Sequence, residues 1–381
     1  MTADATAATA FYLPPRTQWS SAARRLRDTY ALVAGAPLYH CEELGYFSLD
    51  RWSEQGMPAD VDRNALFHLD SGGYYHLVRR GYFPEFETKL LEDRGDYELV
   101  QDSAGRHVLY FKGRRNGFMP EYVAFPVTDR RTWEENVKWR LDPRTPGRFD
   151  NVPEQIAAAQ AAIAQGAIIR AYSGGYAFLR NMVGTIGVLY ALYDMPDVIH
   201  EIMQHWLAMT DAALAAYQAY ITIDELFFGE DICYKTGPFM SERMFREFLL
   251  PYYQQVVHNA RARQRDRGRT LHVHVDSDGH VEQIIPWYRD MGMTVMSPFE
   301  VAADNDMVAL SRRYPDLIMW GGIDKRVLAQ TPRDIDAMLE RVLVPMRERG
   351  GYIPCCDHGV PEEVPYSNYL HYRRRCVELG G

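Results

Sequence analysis

Residues 271–279 read LHVHVDSDG, so His272, His274 and Asp276 stand two apart, with Asp278 continuing the series. On a β-strand that spacing puts side chains on one face. Two imidazoles and a carboxylate on one face suit Zn²⁺ or another first-row divalent ion. The same spacing also describes hydrogen-bonded core histidines, with Asp276 capping the helix that follows. Further on, residues 355–358 read Cys-Cys-Asp-His. Adjacent cysteines point to opposite faces of a strand, so at most one of them can join His358 at a common site.

Other short apolar runs also end in polar residues. They close on Tyr172-Ser173-Gly174-Gly175, Gly229-Glu230-Asp231, Ser297-Pro298-Phe299-Glu300, Gly321-Gly322-Ile323-Asp324-Lys325 and Asp357-His358-Gly359. Glu230 and Asp231 are expected as acid–base groups, and Tyr172, Glu300, Asp324 and Glu42 as substrate contacts. Taken singly, such an Asp or Glu is a helix cap. Gathered at one mouth, carboxylates repel one another unless a cation or a basic substrate is present. Keeping such charges without a use is costly, which speaks against a barrel that merely binds a ligand.

The elements that would position these groups alternate regularly. Asn151 and Pro153 open a helix that Gly166 stops, and 167–171 reads as a buried strand. Helix–strand pairs follow at 196–220 and 224–228, 242–264 and 270–275, and 281–291 and 293–296. Two more fall at 304–313 and 317–320, and at 335–347 and 352–355, before a closing helix over 366–378. Strands alternating with helices of this length imply parallel βαβ units. With 37–41 and 65–69 as the first two strands, eight are expected. The fold class is therefore an α/β (β/α)₈ TIM barrel. Residues 1–381 form one domain in this reading, with 1–30 as an N-terminal extension. The proline-rich stretch 81–149, carrying a hairpin over 97–112, is read as an insertion. A doubly wound sheet is the competing architecture, but no GxGxxG follows any strand.

The chain has 381 residues, 47% hydrophobic and 24% charged, which excludes disordered and fibrous classes. Its 51 acidic against 42 basic residues, net −9, argue against a nucleic-acid partner. The most basic stretch, 261–269, reads as a solvated helix end. Five scattered cysteines form no CxxC pair. No apolar run is long enough to span a bilayer, and the start lacks the pattern of a signal peptide, so a cytoplasmic protein is expected.

The order of the motifs resembles the uroporphyrinogen decarboxylase superfamily, which also holds zinc-dependent corrinoid methyltransferases. The anchor is residues 358–368, HGVPEEVPYSN, supported by 245–252 (FREFLLPY), 321–324 (GGID) and Asp70. Decarboxylases carry a pattern like HGIxPxTPxEN there. Methyltransferases carry CGIxPxTPxEN, whose Cys binds zinc. Decarboxylases also bear two arginines in a motif like PxWxxRQAGRY; here Glu42 and Tyr46 stand in their places, so a polyanionic tetrapyrrole would meet repulsion at Glu42. The methyltransferase His-x-Cys pair is replaced by His274-x-Asp276 or Asp276-x-Asp278.

The resemblance therefore implies a divergent branch. Its expected function is metal-dependent methyl transfer on a small-molecule substrate. The metal, Zn²⁺ by preference, is held by His274, Asp276, Asp278 and His358. A corrinoid would ride on a separate protein, because no DxHxxG signature is present. The alternative is a metal-free decarboxylase or lyase acting on a small carboxylated substrate, with Asp70 and His358 managing protons. Homodimerisation is implied by the resemblance alone.

Overall fold

The computed structural model describes residues 11–78, 81–115 and 119–381. Of the expected N-terminal extension over 1–30, residues 1–10 lie outside them.

The strands are, in chain order, β1 Tyr74–Leu77, β2 Lys89–Arg94, β3 Tyr97–Gln101, β4 His107–Phe111, β5 Glu121–Ala124, β6 Ile168–Tyr172 and β7 Glu225–Gly229. They continue with β8 Cys233–Tyr234, β9 Gly237–Pro238, β10 His272–Asp276, β11 Val295–Ser297, β12 Ile318–Trp320 and β13 Tyr352–Ile353. Seven of them form one parallel sheet in the order β1-β6-β7-β10-β11-β12-β13. The sheet curls strongly enough for Tyr74 on β1 to stack on Trp320 of β12, ring centroids 5.9 Å apart. The architecture is thus α/β and TIM-barrel-like.

Period-two alternation divides the core in two. Leu226, Phe228, Val273 and Val275 face outward and pack in the large core beneath the helices. Ile168, Val295, Ile318 and Ile353 face inward and meet Ala22, Leu26 and Tyr30. Those last three lie on the helix Ser21–Tyr30, capped by Ser20 and closing the N-terminal ends of the strands. Its Arg27 donates to the Ala167 carbonyl at 2.7 Å, just before β6.

Two expected strands are absent. Residues 65–69 instead overlap the short helix Arg63–Leu66, whose first amides are capped by Asp62. Residues 37–41 form no ladder. Pro37 has no N–H to donate. The Leu38 amide is taken by the Gly380 carbonyl at 3.1 Å and the His40 amide by the Asp70 carboxylate at 2.9 Å. This segment nevertheless lies beside β1, and the residue after it reaches the chain just beyond β13. Glu42 accepts from the Cys356 amide at 2.9 Å, and Tyr39 lies edge-on to Tyr74. The first strand of the sheet is β1, which lies outside both expected strands.

The later elements fall close to expectation. Gly166, at φ +83°, stops the helix Val152–Ile163, and a Cβ there would lie 2.4 Å from the Trp19 ring. The helix expected over 242–264 is broken into Glu242–Phe248 and Leu250–Arg263, because Pro251 withholds an amide. Between β1 and β6 the hairpin β3–β4 is present within a four-stranded antiparallel sheet, β2-β3-β4-β5. The basic stretch 261–269 is partly structural, since Arg269 pairs with buried Asp224 at 2.6 Å. Among the described residues no helix is long and apolar enough to cross a membrane.

Candidate active site

Charged residues inside the curled sheet form a ladder from floor to mouth. Arg170 on β6 pairs with Glu225 on β7, and both are buried, at 7% and 0% exposure. The guanidinium also lies over the rings of Tyr74, Phe227 and Trp320, 4.3–5.1 Å from their centroids. Tyr30 donates to the other oxygen of Glu225. Burial opposes ionisation of Glu225, but Arg170 and then His274 overcome it and hold the carboxyl down to about 2.

One level up, His274 on β10 faces Glu225 through Nδ1 at 3.2 Å and Ser297 Oγ through Nε2 at 2.7 Å. Ser297 in turn donates to Asp276. The expected common face of His272, His274 and Asp276 is therefore present, and it points inward. His272 is spent at the bottom, hydrogen-bonded to Thr294 at 3.1 Å and edge-on to Tyr30.

Above this ladder opens a cavity of about 510 Å³ at the C-terminal ends of the strands. Asp278 and His358 face each other there, Oδ2 to Nε2 3.8 Å, both side chains about half exposed. Burial pushes the Asp278 carboxyl up to about 7, reinforced by Asp231 and opposed by His358. Burial likewise raises Asp276. Asp231 also lines the cavity, with its carboxylate paired to Arg180 at 2.7 Å.

The four residues expected to hold a metal do not assemble into a ligand set. Both nitrogens of His274 and one oxygen of Asp276 are spent on hydrogen-bond partners, which leaves only Asp278 and His358 facing each other. Among the described residues no three His, Cys, Asp or Glu side chains are grouped to hold an ion. A structural metal site needs four converging ligands and a catalytic one at least three.

Several other expected site residues point elsewhere. Asp70 is paired with Arg25 and accepts from the His40 amide, which places it outside the cavity lining. Glu230 turns outward into the helix layer. It accepts from Tyr253 at 2.5 Å, Tyr288 at 3.1 Å and the amides of Gly175 and Tyr176 at 2.9 and 3.3 Å. Burial still pushes it up to about 7. Glu300 accepts from the Gly279 amide at 2.7 Å, and Asp324 pairs with Arg326 at 2.8 Å. Tyr172 lies beside Phe227 at the edge of the site. Glu42 reaches the cavity lining, but its carboxylate is held by Tyr372 at 2.8 Å and Arg373 at 3.7 Å. Because Glu230 satisfies four donors, Glu230→Ala is expected to cost about 3 kcal/mol or more. A lowered urea midpoint with unchanged slope checks this.

Arg170, Glu225, Ser297 and Trp320 were missed in the sequence. A signal was present: Arg170 and Glu225 each interrupt a buried apolar strand, and buried charges require partners.

Fold and cavity together define a TIM-barrel-like α/β enzyme architecture, with its site at the strand C-termini. The chain belongs to the uroporphyrinogen decarboxylase (URO-D) family, whose model matches residues 119–377. A curated relative, a uroporphyrinogen decarboxylase of Methylobacillus flagellatus, is 25% identical over 193 residues, 46% of this chain and 47% of that protein. The chain thus matches about half the length of that relative. Among solved structures, a methyltransferase from Methanosarcina mazei aligns with a TM-score of 0.55 at 13% identity, over 92% of this chain and 98% of that one. At that identity the likeness is one of fold.

Proposed function

We propose that this protein is a carboxy-lyase of the URO-D family that acts on a small carboxylated substrate by proton transfer, without a metal. The observation that carries this reading is the Asp278–His358 pair, 3.8 Å apart at the mouth of the cavity. A carboxyl poised near neutrality is suited to donate a proton at working pH. In the proposed step the bond from the substrate carbon to its carboxylate breaks and CO₂ departs. The electron pair stays with the carbon, Asp278 donates the proton to it, and His358 returns a proton from solvent to Asp278. Metal-dependent methyl transfer, with or without a corrinoid protein, asks at least three ligands to converge, and the His274–Ser297–Asp276 contacts disfavour that.

The test measures CO₂ release from a panel of small carboxylic acids, before and after dialysis against a chelator. Activity is expected to survive the chelator and to fall in His358→Ala. One equivalent of divalent metal per chain, lost together with activity in that variant, overturns the proposal. Uroporphyrinogen is expected to give no turnover, because Glu42, Glu43, Asp231, Asp276 and Asp278 line the cavity against a polyanion. Coproporphyrinogen formation by the purified protein would sink that expectation.

A further inference from the structure

The cavity is polarised from end to end. Its floor holds a guanidinium whose donors are not all used. Arg170 is nine-tenths buried and lines the cavity; its Nε is taken by the ion pair with Glu225, so any further acceptor must be met by its Nη donors. Its Nη2 donates to His274 Nδ1 at a long 3.3 Å. The three surrounding rings fix the guanidinium plane. Among the described residues that line the cavity, Arg170 is the only Arg or Lys; the others that carry charge outright are carboxylates.

We infer that the substrate is a small zwitterion, its carboxylate anchored by Arg170 at the floor and a cationic nitrogen held at the acidic rim by Asp276, beside the proton donor Asp278. This rests on the proposed carboxy-lyase reading for the site and names its substrate class. A planar guanidinium binds a carboxylate through paired donors. A cation at the rim is attracted by the carboxylates and by the faces of Phe227 and Trp320. An unsaturated, protonated nitrogen also gives the electron pair left by departing CO₂ a place to go.

Three rigid aromatic probes test the polarity by calorimetry on the wild-type protein, with no turnover required. N-methylnicotinate carries both charges, 3-methylbenzoate only the carboxylate, and N-methylpyridinium only the cation. The zwitterion is expected to bind at least about tenfold more tightly than either truncated probe, a difference of about 1.4 kcal/mol. Asp276→Asn should erase the advantage over 3-methylbenzoate, and Arg170→Lys the advantage over N-methylpyridinium. Equal binding of either truncated probe, or no binding of all three, overturns the inference. Because the readout is binding, zwitterion preference without CO₂ release would overturn only the lyase reading. CO₂ release without zwitterion preference would overturn only the substrate class.

Discussion

His358→Ala and Asp278→Asn are each expected to lower turnover by about 10²–10⁴-fold, the usual loss when a positioned proton-transfer group is removed. Circular dichroism and the unfolding midpoint should stay near those of the wild type. Both side chains are about half exposed on loops beyond the strand ends, where neither supports the core. The pH profile separates the two roles. Burial and the Asp231 carboxylate hold Asp278 up to about 7, so its proton-donating form dominates below that pH. Activity should therefore fall as pH rises through about 7, and Asp278→Asn should abolish that limb along with most of the rate. Full activity in both variants, or an unchanged alkaline limb in Asp278→Asn, would refute the assignment. Asp276→Ala is also expected to lose most activity. It is a less clean test, because Ser297 loses its acceptor and His274 its support.

Glu225→Ala is expected to cost about 3–5 kcal/mol of stability, or to prevent folding, because it leaves Arg170 as an uncompensated buried charge. Glu225→Gln keeps the shape and should cost less. The linkage has a definite sign. The folded-state carboxyl lies at about 2, below its ordinary value near 4.5. Its contribution is therefore complete above about pH 5 and is lost as pH falls from there towards 2. The depression corresponds to about 3 kcal/mol. Denaturant titrations at pH 7 and pH 3 check this: the gap between wild type and Glu225→Gln should narrow at the lower pH. A gap independent of pH would show that the pair is not ionic.

Much of the scaffold was legible because helix and strand periods are local. The strands β6, β7 and β10–β12 lie within a residue or two of the apolar runs that predict them, since burial on both faces demands such runs. The hairpin β3–β4 followed from alternation around a turn. The first two strands failed for an equally physical reason. Residues 37–41 carry strand-like side chains, but their backbone donors are claimed by Asp70 and Gly380, and no local pattern announces that competition.

The candidate site divides along the same line. By itself the sequence determined that His272, His274 and Asp276 share a face, that carboxylates gather after the strands, and that His358 stands with them. Only the tertiary structure decided that Asp278 is the carboxylate facing His358, and that Glu230 turns outward to Tyr253 and Tyr288. It also decided that His274 is committed to Ser297 and Glu225 instead of standing free as a ligand. The spacing of side chains along one strand is fixed by the pleat. Partnership between residues 80 positions apart, as for Asp278 and His358, depends on how the sheet curls and where its loops close, and neither is written in any short stretch of the chain.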